Sequence, residues 1–375
     1  MTPLRPLLLI GTRPEAIKMA PVYHECAHRS NEIAPIVCST GQHRQMLQQV
    51  VDYFQIPIHR DLDLMQPDQT LAQLTARCIT GVDELLTEIK PDCVAAQGDT
   101  TTVLATALAS FYRRIPFVHV EAGLRTGNLD APWPEEMNRR VASIVTGLHC
   151  APTQRAVDQL LREGAAPHSV HLTGNTVIDA LLWAIHRERN RDQDWKSVYP
   201  MATGRMVLIT GHRRESFGGG FDQICRAIAS LSRRFSDVQF VYPVHLNPNV
   251  QQPVRKILSG LGNVHLLEPA PYPAFVWLMD RAEVILTDSG GVQEEAPSLK
   301  KPVLVMRETT ERPEAVEAGA AELVGTDGAR IEQRVALLLT DQAEYRRRQI
   351  DANPYGDGHA ARRIVDLMLR RSWKR

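Results

Sequence analysis

Acidic side chains follow two apolar runs of this chain, at positions suited to proton transfer. Asp99 comes shortly after the run at 93–96, and Glu121 comes directly after the run at 117–120. Both runs are short and typical of buried parallel strands. Because parallel strands end at the same edge of a sheet, where ligands bind, we expect the two carboxylates to converge. Converging carboxylates indicate acid/base chemistry, whereas a lone carboxylate such as Asp99 often only caps the next helix.

The stretch DSGGVQEEAPSL, residues 288–299, indicates a second kind of chemistry. It follows an apolar run at 284–287 and leads into a predicted helix. Ser289, Gly290 and Gly291 have small side chains or none, so backbone N–H groups at the helix start can approach a ligand closely. These donors and the positive end of the helix dipole suit a diphosphate. An ordinary glycine turn between a strand and a helix is the alternative.

Cations and further acids accompany these positions. Arg13 and Lys18 flank the end of the first predicted strand, at 7–10. Two cations at that edge favour an anionic group in the ligand, with solvated surface cations as the alternative. The segment PWPEEMNRR places Glu135 and Glu136 in a first helical turn, where acids suit the helix dipole in any case.

The elements that must position these groups alternate between strand and helix, which predicts two parallel-sheet halves. The predicted strands are 7–10, 33–38, 93–96, 117–120, 145–150 and 170–172, then 206–210, 239–244, 264–267, 284–287 and 303–306. The charged segment RERNRDQDWKSVYP interrupts the alternation and marks a boundary near 175–200. We therefore predict an α/β protein of two Rossmann-like domains facing a cleft. They comprise 1–174 with the acid/base carboxylates and 175–358 with the diphosphate site, followed by a C-terminal helix at 359–375 that packs back toward the first domain.

Composition limits the function classes. A chain of 375 residues suits two domains, and 43 basic residues balance 43 acidic ones, so no overall field attracts nucleic acid or an anionic membrane. The six cysteines lack CxxC spacing and lie among apolar residues, as expected in a reducing cytoplasm. The opening MTPLRPLLLIGTRPE has too short an apolar run for an export signal. We expect a cytoplasmic protein that binds its anion locally.

Ten motifs carry a resemblance to a known family. They are GTRPEAIK at 11, TGQHRQM at 40, GDTTT at 98, HVEAGLRTG at 119, PWPEEMNR at 132, TGNTVID at 173, TGHRRES at 210, DSGGVQEEAPSL at 288, RETTERPEA at 307 and NPYGDGHA at 353. In this order and over nearly the full length, the chain resembles the bacterial non-hydrolysing UDP-N-acetylglucosamine 2-epimerases. The resemblance implies the glycosyltransferase B-type architecture, interconversion of UDP-N-acetylglucosamine (UDP-GlcNAc) and UDP-N-acetylmannosamine, no metal or redox cofactor, and a homodimer.

The implied chemistry agrees with the residues. The C2 proton of the sugar has no adjacent carbonyl, and the chain has no dinucleotide fingerprint for a nicotinamide route. Elimination of UDP to 2-acetamidoglucal, followed by readdition, avoids both needs but requires a base, an acid and a stabilised diphosphate. By resemblance Asp99, Glu121 and Glu135 are the acid/base carboxylates, and His212 lies near the leaving group.

The resemblance also assigns binding residues. Those for UDP and substrate are Arg13, Lys18, Arg139, Phe275, Ser289, Gly290, Gly291, Glu295 and Arg312. Among them Glu295 is expected at the ribose and Phe275 near the uracil, whereas Glu294 is expected to be only a first-turn acid. Candidates for a second, allosteric UDP-GlcNAc site are Gln42, Gln45 and His245, although Asp68 stands where an arginine is expected.

Two other function classes stay open at this point. One is a retaining nucleotide-sugar glycosyltransferase of the same architecture, and the other is a nucleotide-sugar-binding protein without catalysis. The transferase needs an acceptor, and the binding protein leaves the sugar unchanged. Incubation with the nucleotide sugar alone therefore separates them from an epimerase.

Overall fold

The chain forms two compact α/β units. A computed structural model describes residues 2–41, 44–66, 68–213 and 217–370, with the side chains of 44–46 also outside the description. The first unit takes the chain up to Ala180 and again from Tyr355, and the second takes Leu181–Pro354. Each unit is built on one parallel sheet, so the predicted fold class is confirmed.

The first unit has a seven-stranded sheet in the order β3-β2-β1-β4-β5-β6-β7. Its strands are β1 Pro6–Ile10, β2 Ile36–Ser39, β3 Arg60–Asp61, β4 Cys93–Gln97, β5 Phe117–Val120, β6 Leu148–Ala151 and β7 Val170–Leu172. The α-helices up to the crossing into the second unit are α1 Arg13–His28, α2 Arg44–Phe54, α3 Leu71–Ile89, α4 Thr101–Tyr112, α5 Glu135–Val145, α6 Gln154–Arg162 and α7 Thr176–Arg189. A short 3-10 turn occupies Pro167–Ser169.

The second unit has a six-stranded sheet in the order β10-β9-β8-β11-β12-β13. Its strands are β8 Arg205–Thr210, β9 Val238–Pro243, β10 Val264–Leu267, β11 Val284–Thr287, β12 Val303–Val305 and β13 Ala321–Leu323. The remaining α-helices are α8 Asp192–Val198, α9 Gly219–Arg234, α10 Pro248–Leu258, α11 Tyr272–Arg281, α12 Gly290–Glu295, α13 Pro313–Glu317, α14 Gly328–Thr340, α15 Gln342–Arg347 and α16 Ala360–Arg370. Short 3-10 turns occupy Pro200–Thr203 and Ala296–Leu299. The last helix, α16, belongs to the first unit.

The central strands of both sheets are buried on both faces, as parallel strands covered by helices require. Every residue of β1, β4, β5 and β11 is buried. All six cysteines are buried and unbridged, which confirms their prediction as small core residues. No helix in the described ranges combines the length and the apolar character needed to cross a membrane.

Strand positions follow the sequence closely, and the differences lie at the edges. The predictions at 117–120, 170–172, 264–267 and 284–287 match the observed bounds. The prediction at 145–150 began too early, because α5 continues to Val145 and a turn precedes β6. Strands β3 and β13 were missed. They have only two and three residues, and β3 is exposed, so no apolar run marks them.

The C-terminal helix is anchored within the first unit. It buries Ile364, Val365 and Met368 against the unit, while Asp366 accepts a hydrogen bond from Nη1 of Arg29 at 2.6 Å. The carboxylate of Asp179 accepts from the first backbone amides of α16, at 3.2 and 2.9 Å. One acid of α7 therefore caps the start of the last helix.

Asp179 should make the stability of the protein depend on pH. Burial raises its pKa from 3.8 to about 6, although hydrogen bonds from the two amides act in the opposite direction. A raised folded pKa means that the folded state holds the proton more tightly. The stabilisation is therefore complete below the unfolded pKa and is lost as pH rises through about 6.

We expect Asp179→Asn, which cannot ionise, to remove this loss. Between pH 4 and pH 7 the free energy of unfolding should fall by about 2 kcal/mol more in the wild type than in the variant. Urea unfolding at several pH values measures the difference. Asp327→Asn, at an exposed carboxylate that also accepts two helix-start amides, is the control. Parallel pH profiles for the wild type and Asp179→Asn would contradict the assignment.

Candidate active site

Asp99 is held at the end of β4 by helix α5. Its Oδ2 accepts from Nε and Nη2 of Arg139 at 2.8 and 2.7 Å, and its carbonyl accepts from Nδ2 of Asn138 at 2.8 Å. Arg139 is buried, whereas the side chain of Asp99 retains 27% of its exposure. The carboxylate is thus oriented by a buried cation and stays accessible to a ligand.

Glu121 lies at the same edge of the sheet. Gln97 and Val120, the last residues of β4 and β5, are paired in register, so Asp99 and Glu121 follow neighbouring strand ends as predicted. Oε2 of Glu121 accepts from Nζ of Lys18 at 2.5 Å and also from the side-chain amide of Gln97. Each of the two carboxylates therefore has its own cationic partner.

The backbone of Glu121 is strained. Its φ is +62°, in the left-handed region that non-glycine residues rarely adopt. Such a conformation costs on the order of 1–3 kcal/mol and occurs most often where function requires a side chain in one orientation. The buried carboxylate is thus fixed by its backbone as well as by Lys18 and Gln97.

Glu135 and Glu136 differ in environment although they are adjacent in α5. Glu136 is fully buried and accepts from the amides of Thr126 and Gly127 and from Nη1 of Arg139, all at 3.1–3.2 Å. Glu135 is only partly buried, and its carboxylate makes no hydrogen bond within the part of the chain that the structure describes. Glu136 organises the loop before the helix, whereas Glu135 is available to a ligand.

Glu15 connects two loops at the strand ends and was not predicted. Its Oε2 accepts from the amides of Gly11 and Thr12 at 2.8 and 2.6 Å, and its Oε1 accepts from the hydroxyl of Thr100 at 2.5 Å. Burial raises the pKa of Glu15 against these hydrogen bonds. The Thr12-x-x-Glu15 spacing of a capping box was the sequence signal that could have found it.

His119 makes a hydrogen bond to the loop that precedes Asp99. It is fully buried in β5, and its Nε2 lies 2.7 Å from the carbonyl of Gly98. Because a carbonyl only accepts, Nε2 is the protonated nitrogen. Burial lowers the pKa of His119 to about 4, so the ring is neutral near pH 7. Its position inside an apolar strand gave no signal of this role.

In the second unit, His212 is fixed by the first acid of the DSGG stretch. Oδ2 of Asp288 accepts from the backbone amides of His212 and Arg213 at 2.6 and 2.7 Å, and Oδ1 lies 3.3 Å from Nδ1 of His212. The imidazole also stacks on that of His245, with ring centroids 5.4 Å apart. Burial alone would raise the pKa of Asp288, but His212 and the two amides lower it below its ordinary value.

The Ser-Gly-Gly turn begins α12 as predicted, with Ser289 at the N-cap and Gly290 as the first helical residue. A Cβ at Gly290 would meet the guanidinium of Arg312 at 3.4–3.5 Å, so this cation lies against the turn. Nε of Arg312 donates to Oε1 of Glu294 at 2.8 Å, and Glu294 is buried. The prediction that Glu294 is only a first-turn acid is wrong, because it holds the predicted binding cation.

The other predicted residues of this unit lie nearby on α11 and α12. Glu295 is mostly buried, and its Oε1 accepts from the hydroxyl of Tyr272 at 3.4 Å. Phe275 follows Tyr272 in α11 and is half-buried. The two elements thus carry a mostly buried acid and a half-buried aromatic ring.

Some predicted residues are not tied into these clusters. Arg13 is exposed at the first position of α1. Gln42 and the side chain of Gln45 lie outside the described residues. No group of three or more metal-binding side chains occurs among the residues that the structure describes.

The chemical capacity of the two units differs. The first presents Asp99 and Glu121, carboxylates that can accept protons and that are each oriented by a cation. The second presents backbone donors, an arginine and an imidazole, which suit phosphate oxygens. Acid/base chemistry is therefore provided for in the first unit and anion binding in the second.

Comparison with known proteins gives a consistent result. Residues 25–369 match the family model described as UDP-N-acetylglucosamine 2-epimerase. The chain is 52% identical over 370 residues to the UDP-N-acetylglucosamine 2-epimerase of Escherichia coli K12, covering 97% of this chain and 98% of that protein.

Solved structures agree. The UDP-GlcNAc 2-epimerase from Neisseria meningitidis, in a crystal structure bound to UDP-GlcNAc, superposes with a TM-score of 0.91 at 45% identity over 98% of this chain and all of that one. The enzyme from Methanocaldococcus jannaschii, in complex with UDP-GlcNAc and UDP, gives 0.81 at 31% identity over 97% and 99% of the two chains.

The contrast between Glu136 and Glu135 can be tested by stability. Glu136→Ala leaves two loop amides and part of a buried guanidinium without an acceptor, so we expect a loss of about 3 kcal/mol in the free energy of unfolding. Glu135→Ala, in the same helical turn, should change it by less than about 0.5 kcal/mol. Urea unfolding of both variants measures this, and equal losses would contradict the division.

Proposed function

Because the chain belongs to the UDP-N-acetylglucosamine 2-epimerase family, we propose that it interconverts UDP-GlcNAc and UDP-N-acetylmannosamine by eliminating UDP and adding it back. In the elimination a base takes the C2 proton while the C1–O bond breaks, which gives UDP and 2-acetamidoglucal. In the readdition a diphosphate oxygen attacks C1 and a proton reaches the opposite face of C2. No electrons are gained or lost overall, so no redox cofactor is needed.

The observation that carries this proposal is the pair of carboxylates at neighbouring strand ends. Asp99 and Glu121 lie beside paired residues of β4 and β5, and each is oriented by its own cation, Arg139 or Lys18. A two-face proton exchange needs two acid/base groups in fixed orientations. The partly buried Glu135, from α5, is the third candidate.

The second domain binds the leaving group in this proposal. Ser289, Gly290 and Gly291 are proposed to hold the diphosphate, the two glycines through their backbone amides, and Arg312 adds a cation that Glu294 holds against the turn. Stabilising the diphosphate lowers the barrier to C1–O cleavage, because negative charge develops on it as the bond breaks. His212 is proposed at the same group, with Arg13 as a further cation. Glu295 is proposed at the ribose and Phe275 at the uracil.

The distribution of roles follows the two domains. We assign proton transfer to the first and UDP binding to the second. The buried, unbridged cysteines support a reducing cytoplasm as the compartment.

A second UDP-GlcNAc as activator, at Gln42, Gln45 and His245, stays a prediction. Hyperbolic rate curves without activation by UDP-GlcNAc would contradict it.

The proposed partner is a second copy of the chain. Exposed apolar side chains lie at the carboxyl ends of the packed helices α4 and α5: Phe111, Tyr112 and Ile144, which is 83% exposed. Exposed apolar side chains on two packed helices support an interface. In light scattering we expect twice the 42.0 kDa chain mass, and a monomeric mass for Ile144→Glu. Leu172→Glu, at an exposed leucine on β7, should stay dimeric. A monomeric wild type would contradict the proposal.

Deuterium exchange tests the reaction directly. In D₂O with UDP-GlcNAc alone, the protein should form the manno isomer and introduce deuterium at C2 of both isomers. Proton NMR measures both changes, as new signals of the manno isomer and as loss of the C2 proton signals. A glycosyltransferase gives no isomer without an acceptor, and a binding protein leaves the sugar unchanged. Unchanged sugar after long incubation would contradict the proposed function.

Asp99→Asn serves as the matched variant for this experiment. It should still bind UDP, as measured by calorimetry, because the proposed diphosphate site lies in the other domain. Turnover should fall by at least about a hundredfold, the usual scale for an acid/base group. Near-normal turnover would remove Asp99 from the mechanism.

A further inference from the structure

Asp288 lies beside the ends of two neighbouring strands, and its backbone is hydrogen-bonded to one of them. Thr210 and Thr287, the last residues of β8 and β11, are paired in register, and their hydroxyls are 2.5 Å apart. The amide of Asp288 donates to the carbonyl of Thr210, and that of Ser289 donates to the hydroxyl of Thr287. The position of the Asp288 carboxylate is therefore set by the sheet itself.

The two oxygens of this carboxylate have different surroundings. Oδ2 accepts the amides of His212 and Arg213, which fixes the chain that leaves β8. Oδ1 is buried and accepts no hydrogen bond from the described residues, yet it lies 3.3 Å from Nδ1 of His212. Because a buried acceptor without a donor is costly, a small rotation of the imidazole toward Oδ1 is favoured.

The charge of Asp288 decides which nitrogen of His212 bears the proton. Burial acts to raise the pKa of Asp288, but the imidazole and the two amides lower it overall, so the group is a carboxylate near pH 7. A carboxylate only accepts hydrogen bonds. A hydrogen on Nδ1 is therefore the arrangement that would satisfy Oδ1, and it leaves Nε2 as the nitrogen that can contact a ligand.

The ring is also held on one face. His245 stacks on His212 with an interplanar angle of 19°, and burial and the neighbouring imidazole lower the pKa of His245. A neutral partner ring can stack without charge repulsion. The backbone, one edge and one face of His212 are thus all constrained, although 43% of its side chain remains exposed.

We propose that Asp288 is a positioning residue for His212: it accepts from Nδ1–H of the imidazole, so that Nε2 faces the departing diphosphate and exchanges a proton with the leaving oxygen. The proposal rests on the proposed function and adds a residue to it. When the C1–O bond breaks, the proton on Nε2 passes to the leaving oxygen and the neutral Nδ1–H ring remains; in the readdition Nε2 takes the proton back. Asp288 keeps the ring oriented in both steps. Asp288 itself need not touch the substrate.

Asp288→Asn separates this role from a structural one. The asparagine oxygen can still accept the amides of His212 and Arg213, while its NH₂ group replaces the acceptor that faces Nδ1. The ring of His212 should then change to the Nε2–H tautomer. We expect kcat to fall by about a hundredfold or more, with KM within about threefold of the wild type.

The tautomer is read from two-bond ¹H–¹⁵N spectra of protein labelled in histidine, with His212→Gln to assign the signals. Asp341→Asn is the matched control, since this exposed aspartate also accepts two helix-start amides. It should leave both the tautomer and kcat unchanged. Circular dichroism and urea unfolding establish that each variant is folded.

The outcomes distinguish the proposals. An Nε2–H tautomer of His212 in the wild type, or an unchanged tautomer in Asp288→Asn, overturns the positioning role. Near-normal kcat in a folded Asp288→Asn does the same while the epimerase function stands. If Asp288→Asn does not fold, the wild-type tautomer alone decides. If the wild type does not epimerise UDP-GlcNAc, the proposed function fails, and the tautomer still tests the contact between Asp288 and His212.

Discussion

Buried carboxylates at the ends of parallel strands are the constraint on which the candidate site depends. A carboxylate removed from water is tolerated only when its oxygens receive hydrogen bonds or a cation. Glu15, Glu136 and Asp288 each accept two backbone amides from the loop beside them, and Glu294 accepts an arginine. Satisfying these buried groups forces the loops into single conformations. The loops in turn orient the side chains that remain accessible.

This arrangement separates two kinds of acid that look alike in the sequence. The carboxylate of Glu136 accepts hydrogen bonds from its loop and from Arg139, while that of its neighbour Glu135 is available to a ligand. The same division occurs between Asp288, which is enclosed, and His212, which it constrains. A rigid supporting group beneath an accessible one keeps reacting atoms within narrow limits, which proton transfer and charge stabilisation both require. The strained backbone of Glu121 belongs to the same pattern, since the surrounding contacts must offset its cost.

Much of the fold could be predicted because each signal was local. Apolar runs of four or five residues gave the central strands. The short strands β3 and β13 could not be found this way, because their pairing depends on neighbouring strands and not on their own composition. The position of Asp99 and Glu121 at one sheet edge was also predictable, since it follows from parallel strands alone.

The sequence by itself determined the alternation of strands and helices, the family resemblance and the residue types at the strand ends, because these depend on local periodicity and on motifs. Only the tertiary structure decided which partner each charged group has: Lys18 for Glu121, Arg139 for Asp99, Arg312 for Glu294 and His212 for Asp288. Most of these pairs join residues far apart in the chain. Their choice depends on strand order and on burial, and no sequence spacing records either. The energy of a buried charge is set by what surrounds it in space.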